Sequence, residues 1–107
     1  MVTGSIPDIL KHKESDIDVL CRKHCVAYLA VFGSATTERF RADSDLDFLV
    51  TFEDHLNARQ KATAFFGLKQ DLEMLFDRPV DLVTKASLTN PYFRESVMAG
   101  QRALYAA

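Results

Sequence analysis

At 107 residues, 48% hydrophobic and 26% charged, the chain has the size and composition of one soluble globular domain. That leaves no room for a catalytic domain plus a separate large substrate domain. A formal net charge of −2 excludes the basic footprint of a groove that tracks a long nucleic acid, though not a single bound nucleotide.

No apolar run approaches the length of a membrane span and no signal peptide opens the chain, so a cytoplasmic protein is expected. Ser5-Ile6-Pro7-Asp8 has the composition of a helix start, with Pro7 in the first turn. Residues 16–25 read as a better helix, with Ile17, Leu20, Cys21 and His24 on one face. Two thiols and one histidine on a single turn are too few for a closed zinc site. Cys21 is therefore read as a core residue and Cys25 as the end of the helix. Residues 28–32 form a short apolar run of strand formers stopped by Gly33. Residues 46–52 read as a second strand, whose alternation puts Asp45 and Asp47 on one face and Leu46 and Phe48 on the other.

Residues 57–76 predict a long helix with the stripe Phe65, Leu68, Leu72, Leu75 and Phe76; Phe66 and Met74 fall outside it. Asp77-Arg78-Pro79 breaks that helix, and residues 80–84 read as a third strand. Asn90 caps a last helix, with Pro91 in its first turn and Gly100 at its end, and residues 102–105 are a final extended piece. His12 and His55 have no spaced partners and are read as surface residues. The elements predict one α/β (α+β) domain over residues 1–107, a small mixed β-sheet of three to four strands packed by helices.

The informative stretch is GSATTERFRADSDLDFLV, from Gly33 to Val50. Gly33 permits a sharp turn and close approach of backbone N–H groups to an anion. Ser34 adds a hydroxyl at the start of a helical turn, which is a ready phosphate site. Asp45 and Asp47 point the same way from one strand and can share hard cations such as Mg²⁺. Two such ions clamp the attacking and leaving oxygens of a displacement at phosphorus. For Gly33 and Asp45 to meet, strands one and two must be antiparallel. For Asp81 to join them, strand three must run parallel to strand two. Gly-Ser, ten residues, then Asp-x-Asp arises by chance on the order of once in a thousand chains of this length.

Gly33-Ser34-x10-Asp45-x-Asp47 resembles the signature of the DNA polymerase β-like nucleotidyltransferase superfamily. The short length, the Ser44-to-Val50 run and Pro79-Val80-Asp81-Leu82-Val83 resemble its minimal nucleotidyltransferase branch. The resemblance implies that Asp45, Asp47 and Asp81 bind Mg²⁺, as two ions, with Asp81 also activating the acceptor hydroxyl. It implies that Gly33 and Ser34 hold the triphosphate of ATP, with Arg39 and Arg41 as cations within reach. It further implies an antitoxin that pairs with a helical HEPN-domain toxin in a hetero-oligomer and transfers AMP onto a tyrosine of that toxin. One departure is visible: where many members carry Arg-Gly after the Gly-Ser, this chain has Thr37 and Glu38. The competing readings are a non-catalytic module that neutralises a partner by covering it, and a subunit that nucleotidylates a small molecule such as an antibiotic.

Overall fold

Why four short strands should assemble into one sheet follows from their composition. The first three are rich in β-branched and aromatic residues, the last (RALYA) has a single tyrosine of that kind, and none can bury its apolar side alone. The computed structural model describes residue 10, residues 12–33 and residues 45–107. Helix α1 (Glu14–Lys23) leads into strand β1 (Val26–Phe32). Strand β2 (Leu46–Phe52) is followed by helix α2 (Ala58–Phe76), strand β3 (Val80–Thr84), a 3₁₀ turn (Lys85–Ser87), helix α3 (Pro91–Gly100) and strand β4 (Arg102–Ala106). The expected helix near Pro7 and helical turn at 35–38 lie outside the described residues.

The sheet order is β3-β2-β1-β4. Strands β1 and β2 are antiparallel, β2 and β3 parallel, and β4 pairs antiparallel with the free side of β1. The mixed sheet required by the spacing of Gly33, Asp45 and Asp81 is therefore observed. The final extended piece is its fourth strand.

Local chemistry sets the helix limits. Asn57 and Gln60 form a capping box: the Gln60 N–H donates to Asn57 Oδ1 at 2.8 Å and the Asn57 N–H donates to Gln60 Oε1 at 2.9 Å. At the other end Asp77 turns left-handed at φ 52°, which stops α2 before Pro79. Asn90 Oδ1 accepts from the Tyr92 and Phe93 N–H groups, with Pro91 in the first turn, so the entry of α3 is held at its first turn.

The sheet is covered on both faces. One core joins Leu29, Val31, Phe48 and Leu82 of the strands to Ile17 and Cys21 of α1 and to Leu68, Leu72 and Phe76 of α2. A smaller core on the other face joins Phe32 and Leu49 to Leu88 and to Val97 of α3. Each large apolar side chain fully buried here contributes roughly 1.5–3 kcal/mol. The α2 stripe is narrower than expected. Phe65 and Leu75 are only half-buried, while the small Ala64, outside the expected stripe, is buried; Phe66 and Met74 are exposed. Strand β2 also departs from simple alternation, because Phe48, Leu49 and Val50 are all buried. A central strand with helices over both faces has two inward sides. Among the described residues, no helix is long and apolar enough to cross a membrane.

Candidate functional site

The site is built where β1 ends and β2 and β3 begin. The antiparallel register sets Phe32 opposite Asp47, and the parallel register sets Asp47 beside Asp81. Paired residues in a sheet share a face. The two carboxylates therefore project together from the side of the sheet that carries the smaller core. Gly33 follows at φ +73°, a conformation that costs residues with a Cβ about 1–2 kcal/mol. A Cβ at this position would also collide with the Asp47 carboxylate, its Cγ lying 3.3 Å away. Gly33 is thus required both by its backbone angle and by the closeness of Asp47.

Helix α3 supplies the facing wall. Phe32, Gly33, Asp47, Asp81, Phe93 and Ser96 line a cavity of about 320 Å³. Phe93 meets Phe32 edge-on, with ring centroids 6.3 Å apart, and this contact ties α3 to the end of β1.

The electrostatics of the cavity are unbalanced. Burial, then the Asp81 charge, then the Asp45 charge push the Asp47 carboxyl up to about 6. Asp47 is half-buried, whereas Asp45 and Asp81 are exposed. Among the described residues, the three-ligand group whose donor atoms lie within 4.8 Å of one another is elsewhere, at Cys25, Glu53 and His55; the three aspartates are more loosely gathered. Carboxylates that repel one another at the mouth of a cavity form the all-oxygen donor set that a hard divalent cation accepts.

A profile of the nucleotidyltransferase domain matches residues 17–104. The chain belongs to this family. A relative of this nucleotidyltransferase in Methanocaldococcus jannaschii, named provisionally as a protein adenylyltransferase, is 38% identical over 98 residues, covering 88% of this chain and 89% of the relative. A solved structure described as that of a provisionally assigned minimal nucleotidyltransferase is 35% identical, with a TM-score of 0.68 over 92% of this chain and 98% of that one. A toxin–antitoxin crystal structure with AMP-PNP contains a chain 26% identical, with a TM-score of 0.67 over 88% of this nucleotidyltransferase and 73% of that chain.

The nucleotidyltransferase thus gathers Gly33, Asp47 and Asp81 around one cavity, with Asp45 just ahead of β2 and close enough to raise Asp47. Ser34, Arg39 and Arg41 lie outside the described residues. The α3 wall, Phe93 and Ser96, is not announced by the sequence. Those residue types carry no spacing signature. The usable signal was the Asn90-Pro91 helix start shortly after β3, which returns the chain over the sheet end bearing Asp81.

Proposed function

We propose that the chain is a Mg²⁺-dependent adenylyltransferase that moves AMP from ATP onto a tyrosine hydroxyl of a cognate HEPN-type toxin, acting as a single domain within a hetero-oligomer in the cytoplasm. The observation that carries this reading is the side-by-side register of Asp47 and Asp81 against the left-handed Gly33, in an acidic cavity. The relative's name supports a protein as the acceptor. The likeness to a chain of a toxin–antitoxin complex with AMP-PNP supports both the partner and the adenine nucleotide.

Asp45, Asp47 and Asp81 would hold Mg²⁺, which supplies neutralisation of phosphate charge and a clamp on the attacking and leaving oxygens. Gly33 lets the backbone approach the triphosphate closely, Ser34 offers its hydroxyl to the same phosphates, and Arg39 and Arg41 offset their charge. The acceptor oxygen forms a bond to the α-phosphorus, the bond to the bridging oxygen breaks, and pyrophosphate leaves. Asp81, exposed at the rim, accepts the hydroxyl proton. The docked partner positions its own tyrosine, which turns a bimolecular encounter into a pre-oriented one.

Co-incubation of the chain with its cognate toxin, ATP and Mg²⁺, read by mass spectrometry, tests this. The expected product is one or more AMP units on a toxin tyrosine, absent with Asp47→Asn. An unmodified toxin alongside efficient nucleotidylation of an aminoglycoside would overturn the protein-acceptor reading. Transfer by Asp47→Asn at the wild-type rate would overturn the site assignment.

A further inference from the structure

The sheet carries a second cluster of chemically active side chains, at the end opposite Asp47 and Asp81. Cys25 precedes β1 and Glu53 follows β2, so the antiparallel pairing brings the two together, and the Glu53 N–H donates to the Cys25 carbonyl at 3.0 Å. The turn that follows, closed by Leu56 N–H donating to the Glu53 carbonyl at 3.3 Å, returns His55 towards Glu53. His55 Nδ1 then lies 3.4 Å from Glu53 Oε1. The thiol, carboxylate and imidazole donor atoms are all within 4.8 Å of one another.

The backbone fixes where the thiol sits. Cys25 stands at φ 55°, in the left-handed region, immediately after the C-cap His24 of α1. That position favours glycine, or else asparagine. As with Asp77 at the end of α2, the left-handed turn ends the helix, and here it sets Cys25 at the start of β1 beside Glu53. His24 is occupied elsewhere, its Nε2 lying 2.7 Å from Asp71 Oδ2 on α2. The donor set is therefore Cys25, Glu53 and His55, with His55 exposed so that an ion reaches the group from solvent.

We propose that Cys25, Glu53 and His55 form a binding site for a zinc-type divalent ion, distinct from the carboxylate site and fastening the α1–β1 junction to the β2–α2 turn. One sulfur, one nitrogen and one oxygen donor suit Zn²⁺, which takes Cys, His and carboxylate ligands tetrahedrally. With bond lengths of about 2.0–2.3 Å, tetrahedral ligand atoms sit roughly 3.4–3.8 Å apart. Side-chain rotation at the exposed His55 and the half-buried Glu53 closes the difference from 4.8 Å. Binding releases the thiol proton to solvent. The three protein ligands leave the fourth position to water.

The test is a Zn²⁺ titration against a chromogenic chelator, in excess Mg²⁺ so that the aspartates are already engaged, with Co²⁺ as a spectroscopic probe. Wild type should bind one Zn²⁺ per chain, show a thiolate-to-Co²⁺ charge-transfer band, and lose Cys25 alkylation when Zn²⁺ is present. Cys25→Gly, which the left-handed position accommodates without strain, and His55→Ala should each weaken Zn²⁺ at least about tenfold. Without metal, His55→Ala should keep the melting temperature and Cys25→Gly should melt no lower than wild type, and both should keep any AMP transfer. Failure of wild type to bind, a missing charge-transfer band, or unchanged affinity in Cys25→Gly would overturn the proposal.

Discussion

Replacing Asp47 by asparagine should stabilise the metal-free protein. In the folded chain the Asp47 carboxyl is pushed up to about 6, against 3.8 for a free carboxyl, first by burial and then by Asp81 and Asp45. At about 1.4 kcal/mol per tenfold change in proton affinity, that is roughly 3 kcal/mol held against the folded state. Asp47 is half open to solvent, and screening reduces the figure to about 1–2 kcal/mol. The native state binds this proton more tightly than the unfolded chain does. The penalty is therefore absent below the free value of 3.8, grows as pH rises, and is complete above about 6. Urea unfolding of wild type and Asp47→Asn in chelator, at pH values on either side of that window, measures it. The two should unfold together on the acid side and separate at neutral pH, with the variant more stable in urea by about 1–2 kcal/mol. Mg²⁺ should then raise wild type more than the variant, because it stabilises by binding the folded state. A variant less stable than wild type at neutral pH in chelator would refute the reasoning, since Asp47 would then hold the sheet together.

Three further substitutions probe other parts of the structure. Gly33→Ala, which places a Cβ at φ +73° against the Asp47 carboxylate, should cost about 1–3 kcal/mol in thermal unfolding and lower AMP incorporation. The Asp71 carboxyl is held below the usual carboxylate range, mainly by its hydrogen bond with His24 and then by that with Lys23. Its stabilisation is present above the usual range and lost as pH falls through the lowered value, so Asp71→Asn should unfold earlier at neutral pH and show a flatter acid limb in urea midpoints. Asn57→Ala removes the cap of α2 and should lower the urea midpoint by the equivalent of about 1 kcal/mol, with AMP transfer unchanged.

The elements were legible wherever local chemistry and periodicity agreed. Leu46–Phe52 and Val80–Thr84 are bounded as their composition predicts, and Asn57, Asn90, Pro91 and Gly100 mark helix ends because capping is a local hydrogen-bonding matter. The strand direction was also legible, since Gly33, Asp45 and Asp81 can approach one another in few arrangements. What escaped depends on contacts between distant segments. Leu49 is buried because α3 returns over a second face, which no alternation in β2 announces. Phe93 and Ser96 join Asp47 only through that same return. His55 meets its near neighbour Glu53 through the turn after β2, but acquires Cys25 only when β1 and β2 pair.

The position of β4 bears on how the protein is made. Strands β1, β2 and β3, with Asp47 and Asp81, are all synthesised by residue 84, yet Leu29 to Val31 keep one backbone edge open until residues 102–106 arrive to pair with them. During translation β1 therefore waits with one edge of unpaired N–H and C=O groups, which any other extended chain could capture. Slow synthesis or a stalled ribosome between residues 84 and 106 would prolong that exposure. The same strand invites a simple intervention: a synthetic peptide of residues 102–106, supplied in excess, would compete for the β1 edge of nascent chains while leaving already folded molecules, whose edge is filled, untouched.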